Sequence, residues 1–123
     1  MKNLLESLKQ KNAGLRVSRS EKLVTEACKY IVVIWNCKEQ VIAFPHQVQH
    51  ADVFQYTKRE APHVALVSAG FFMGDTTALW VGGRSESLDL DSRPEDTDLL
   101  KSFLTSPDRS LWDLTLLTAG GAQ

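Results

Sequence analysis

The stretch Lys29-Tyr30-Ile31-Val32-Val33-Ile34-Trp35-Asn36-Cys37-Lys38-Glu39-Gln40-Val41-Ile42-Ala43-Phe44-Pro45 decides how this chain folds. Tyr30 to Trp35 is apolar at consecutive positions and largely β-branched, the pattern of a strand buried on both faces, so it is expected at the centre of a sheet. Asn36, Cys37, Lys38 and Glu39 form a polar turn. Gln40 to Phe44 then reads as a second strand folding back on the first, closed by Pro45, which has no N–H to continue a ladder.

Upstream, residues 2–12 put Leu4, Leu5 and Leu8 on one helical face, with Lys9 and Lys11 near the negative carboxyl end and Gly14 as a stop. Residues 18–28 support two conformations. Ser18 and Glu21 have capping-box spacing ahead of Leu23, Val24 and Ala27, which suits a helix, whereas Leu15-Arg16-Val17-Ser18 can extend as a strand. Downstream, residues 46–60 lack Gly and Pro and carry Val48, Ala51, Val53, Phe54 and Tyr56, so a helix is expected to end before Pro62. His63 to Met73 and Thr76 to Ser85 are expected as a second hairpin around Gly74-Asp75.

Ser92 and Glu95 repeat the capping-box spacing, Pro94 suits a first helical turn, and Leu99, Leu100, Phe103 and Leu104 form a buried stripe. Leu111 to Thr118 alternates Trp112, Leu114 and Leu116 with Asp113 and Thr115, the period of a half-buried strand. The order is one or two helices, hairpin, helix, hairpin, helix, strand. That predicts an α+β fold, an antiparallel or mixed sheet of about five strands with helices packed on it.

The 123 residues, 43% hydrophobic and 24% charged, fit a single domain over 1–123 with a core of its own. With 14 Lys and Arg against 15 Asp and Glu, the net charge of −1 creates no field that would gather nucleic acid. No apolar run approaches the roughly 20 residues of a membrane span, so no membrane is expected. The amino terminus lacks a secretory layout. Cys28 and Cys37 bracket an extended strand that would hold them about 30 Å apart, beyond the reach of a disulfide. Reduced thiols and a cytoplasmic location follow.

Chemistry-bearing residues are sparse. His46 and His50 lie four apart in the expected helix and His63 follows, but no acid or Cys completes a metal set, so neither metal nor cofactor is expected. Solvation or capping at a helix start is the ordinary use of such a histidine and the expected one for His50, in which case its replacement would leave stability within about 0.5 kcal/mol. Val81-Gly82-Gly83-Arg84-Ser85 could bring backbone N–H groups and a guanidinium to an anion; a bulge or close backbone crossing is the alternative use of its glycines. Asp89, Asp91, Glu95, Asp96 and Asp98 lack the ligand spacing and turn glycine of a calcium loop. Trp35, Trp80 and Trp112 fall on strands, where core packing is expected.

The strand Lys29–Val33, a second strand, a helix carrying His50-Ala51-Asp52-Val53, a hairpin, Val81-Gly82-Gly83-Arg84-Ser85, then a helix and a last strand together resemble the Janus or phosphohistidine phosphatase family over roughly residues 29–118. The resemblance implies a phosphatase in which His50 is the general base and Gly83 with Ser85 holds the phosphoryl group. Ser87-Leu88-Asp89-Leu90 stands where that family has an aromatic-glycine pair, and its later histidine is missing. Two expectations result. The first is a binding or protein-interaction module whose partner is a second copy or another protein; the second is a phosphohistidine phosphatase-like enzyme using His50, with Gly83, Arg84 and Ser85 as the phosphate cradle.

Overall fold

The computed structural model describes residues 16–18, 27–74, 77–105 and 111–113, and the structural statements below concern these. Strands β2 (Cys28–Trp35) and β3 (Lys38–Pro45) form the expected hairpin, in register from Cys28 opposite Pro45 to Trp35 opposite Lys38. Its turn is tighter than the expected four residues. Only Asn36 and Cys37 leave the ladder, with φ of 52° and 62°, a left-handed pair whose twist matches that of the flanking strands. Lys38 and Glu39 therefore belong to β3.

On its other edge β2 pairs with β4 (Ala65–Met73), which makes it the central strand its apolar sequence demands. Ile31 and Val33 face one side of the sheet, Tyr30 and Val32 the other, and all are fully buried. A bulge interrupts the pairing: Val32 lies opposite Ser68 and Val33 opposite Leu66, leaving Val67 as the extra residue. One extra residue shifts the alternation of faces, so Val67 and Ser68 both serve the Tyr30 side.

Six strands complete the sheet in the order β1-β8-β3-β2-β4-β5, with β1 at Arg16–Ser18, β5 at Trp80–Gly82 and β8 at Leu111–Asp113. β8 runs parallel to β3 and the other pairings are antiparallel, so the sheet is mixed and the fold α+β. β6 (Arg84–Ser85) and β7 (Leu90–Asp91) form a separate two-stranded hairpin. The expected single strand Thr76–Ser85 is thus broken. Thr77 to Leu79 stay outside the ladder, and Gly83, at φ 86°, turns the chain between β5 and β6.

Helix α1 (His50–Glu60) and helix α2 (Asp96–Thr105) cover opposite faces. α1 lays Val53 and Tyr56 on Ile31, Val33, Ile42 and Phe44. α2 lays Leu100 and Leu104 on Tyr30, Val32, Ala43 and Phe72; burying each such leucine contributes about 1.5–3 kcal/mol. α1 starts later than expected because residues 46–48 form a turn, closed by Val48 N–H donating to the Pro45 carbonyl at 3.1 Å. His46 therefore sits before the helix and shares no face with His50.

The expected capping box of α2 is displaced by one residue. The Arg93 N–H donates to the Asp96 carboxylate at 2.9 Å, while the Ser92 hydroxyl donates to the Gly83 carbonyl at 3.0 Å. In the 18–28 region the extended alternative holds for Arg16–Ser18, and Cys28 opens β2; residues 19–26 lie outside the described residues. The expected helix over 2–12 and the strand positions beyond Asp113 also lie outside them. Cys28 is buried and Cys37 exposed, both unbridged. Among the described residues no helix is long and apolar enough to cross a membrane.

Candidate functional site

His50, Gly83 and Ser85 are brought to one region, and the ring of Phe71 organises it. Phe71 packs edge-on against the His50 ring, with centroids 5.4 Å apart. A Cβ on Gly83 would meet the Phe71 ring at 2.9 Å, so that glycine is required by contact as well as by its positive φ. Ser85 is buried. Its hydroxyl lies 3.4 Å from that of Ser87 and accepts the Leu88 N–H at 3.2 Å. Ser87 in turn accepts the Ala51 N–H at 3.3 Å, satisfying a donor at the start of α1 that Gln49, the residue in the capping position, leaves unserved.

His50 is not the solvated helix-start residue expected. It is 3% exposed, clamped between Phe44 and Phe71, with Nε2 2.9 Å from the Gly70 carbonyl oxygen. A carbonyl only accepts, so Nε2 carries the hydrogen. Burial lowers the pKa of the ring below its usual 6.5; the Gly70 bond opposes this and the neighbouring Lys29 ammonium adds to it. Burial thus favours the neutral imidazole, whose donor nitrogen is already engaged. Lys29 is itself half-buried, donating from Nζ to the Val48 carbonyl at 3.0 Å and lying 5.9 Å from the centre of the Phe71 ring.

Arg84 is held by acids of its own hairpin. Nη1 donates to Asp91 at 2.8 Å and Nη2 pairs with Asp89. The Gly83 carbonyl accepts from both the N–H and the hydroxyl of Ser92. Among the described residues no group of three or more His, Cys, Asp or Glu is arranged to hold a metal ion.

The opposite face of the sheet carries a buried polar group that no motif announced. Tyr30, fully buried on β2, donates its hydroxyl to Asp96 at 2.6 Å. Arg93 reaches Asp96 through its backbone N–H and Nε, both at 2.9 Å, and extends to Glu39 on β3 at 2.9 Å. Burial alone would raise the pKa of Asp96, but the hydrogen bonds of Tyr30 and Arg93 outweigh it and hold the carboxyl below its usual range. The buried Ser68 hydroxyl has no hydrogen bond of normal geometry, yet lies near enough to Asp96 to add to that pull. Desolvation first, and then Asp96, push the Tyr30 hydroxyl far above its usual 10.0.

Trp80 departs furthest from expectation. Its indole is 53% exposed on β5, the outermost described strand on that side, and its cross-strand partner Met73 is 42% exposed. The ring leans over Gly82, where a Cβ would lie 3.1 Å from it. Periodicity could not reveal this, because a strand residue looks alike whether or not a helix covers its face. Tyr30, Ser87 and Arg93 were equally silent, since their partners Asp96, Ala51 and Glu39 lie 66, 36 and 54 residues away in the chain. No protein-family model, curated protein or solved structure matches this chain.

Proposed function

We propose that this domain is a protein-interaction module that engages a partner through the end of the β4–β5 ribbon. One observation carries the proposal: Trp80 and Met73, paired across an outer strand, are both left substantially exposed. Apolar side chains of that size are concentrated at binding surfaces, where tryptophan supplies large area at low entropic cost. An outer strand also offers backbone donors and acceptors for a further strand.

The groups that a phosphatase would need weigh in the same direction. A general base has to reach a proton on its substrate, whereas His50 is enclosed by two aromatic rings and a carbonyl. Arg84 would have to leave two carboxylates to meet a phosphoryl group. The test uses the immobilised chain, wild type and Trp80→Ser, to capture proteins from extract, followed by binding of the purified candidate. Affinity reduced at least tenfold by Trp80→Ser supports the module; equal affinity refutes it. Hydrolysis of phosphohistidine or an aryl phosphate by wild type that disappears in His50→Ala would establish the enzyme instead.

A further inference from the structure

Phe71 and Met73 share one face of β4, and their cross-strand partners Gly82 and Trp80 lie on the same face of β5. Two contacts join His50 to the exposed indole along that face. The Phe71 ring, edge-on to His50, fills the place of a side chain at Gly83, 2.9 Å from where its Cβ would be. The Trp80 ring in turn covers Gly82, 3.1 Å from where a Cβ would stand. The backbone supplies a second link. Gly70, whose carbonyl accepts from His50, approaches β5 so closely that a Cβ on it would lie 2.8 Å from the Gly82 carbonyl oxygen. The position of the His50 ring therefore sets the seat of the Gly82-Gly83 turn, and the indole rests on that turn.

As a neutral ring His50 gives its one N–H to Gly70. Protonation adds a second N–H and a full charge to a ring buried between Phe44 and Phe71. The surroundings offer it no compensating charge at close range. β2 brings the Lys29 ammonium, a like charge that opposes protonation, while β3 and β4 bring Phe44, Phe71 and the Gly70 carbonyl. Of the titratable side chains near the start of α1, Asp52 is half-buried in the helix itself, and His46 and Glu86 are exposed to solvent. Moving the imidazolium into water relieves both the desolvation and the repulsion. Because His50 is the first residue of α1, only the first helical turn has to open.

We propose that protonation of His50 is a switch for the Trp80–Met73 surface: the imidazolium leaves the Phe44–Phe71 clamp, Phe71 moves off Gly83, and the indole loses its seat on Gly82. The movement stands without the interaction module proposed above; its meaning as regulation of partner binding rests on that reading.

The test is a pH titration of the full 15N-labelled chain by NMR, from about pH 7.5 to about pH 4.5, which stays above the range in which Asp96 takes up a proton. In wild type the Trp80 indole signal, assigned by its loss in Trp80→Phe, and the Gly83 amide should shift together with one midpoint below 6.5. The Leu100 amide on the α2 face should stay in place. His50→Gln keeps a side-chain N–H for Gly70 and cannot titrate, so it should abolish the shift. Lys29→Gln removes the like charge and should raise the midpoint by roughly 0.3 pH unit or more, which keeps the test decisive if His50→Gln does not fold. An indole signal that is flat in wild type, or that titrates equally in His50→Gln, overturns the switch. So does a midpoint unmoved by Lys29→Gln, or the simultaneous loss of all native signals. With the purified partner, affinity should fall at least fivefold across the titration in wild type but not in His50→Gln, and equal losses overturn the regulation. Failed capture with an intact titration rejects the interaction module alone.

Discussion

The two faces of the sheet fasten their helices by opposite electrostatic means. On the α1 face a neutral imidazole, His50, sits between Phe44 and Phe71 and gives its hydrogen to Gly70. On the α2 face a carboxylate, Asp96, is fully buried but accepts from Tyr30 and Arg93. Each residue opens its helix. The difference follows from the available partners. Where aromatic rings bury the group and a single carbonyl accepts from it, desolvation outweighs that bond and the uncharged form is favoured; where donors converge and a guanidinium is in place, the charge survives burial.

If that contrast is right, Asp96→Ala should be the most damaging single change. It strands Tyr30 and the buried part of Arg93, and breaking such a pair costs about 3–5 kcal/mol, read as a lowered urea midpoint. His50→Ala should come next, at roughly 2–3 kcal/mol, through a cavity between the aromatic rings and a Gly70 carbonyl left without its donor. A loss below ~0.5 kcal/mol would return His50 to the surface role its sequence suggested. Tyr30→Phe should cost about 1.5–3 kcal/mol, the range for hydrogen bonds to charged groups.

The anchors also separate along the pH axis. His50 has a folded pKa below its usual 6.5, so the unfolded chain takes up its proton first and stability declines as pH falls from 6.5 toward the folded value. Asp96 has a folded pKa below its usual 3.8, so its contribution is complete above 3.8 and lost as pH drops through the folded value. Tyr30 is displaced upward, and its contribution fades as pH rises above 10.0. Thermal melts should show two acid-side losses. The upper one should vanish in His50→Gln, and its persistence would detach it from His50. The smallest expected effect is Arg84→Ala, at most about 1 kcal/mol, because both carboxylates that it meets are solvent-exposed.

The interruption at Gly83 shows why part of the fold escaped a linear reading. Thr76 to Ser85 has the composition of one strand, and Gly82-Gly83 signalled a bulge or close backbone crossing without saying that the strand would stop before Arg84. The chain turns at Gly83, at φ 86°, where the Phe71 ring on β4 occupies the space a side chain would need. Likewise, the capping box of α2 shifted from Ser92 to Arg93 because Ser92 is held by Gly83, a partner from another part of the chain.

The central hairpin, the α+β class and the buried stripe of α2 were determined by sequence alone. Each depends on a local pattern of apolar residues, unbroken along β2 and at helical spacing along α2, and that pattern acts wherever the segment is placed. His50 buried, Arg93 and Asp96 joined to Tyr30, and Trp80 left exposed were decided only by tertiary structure. Burial and hydrogen bonding at these positions depend on which distant strand or helix lies opposite, and one residue's identity carries no record of that.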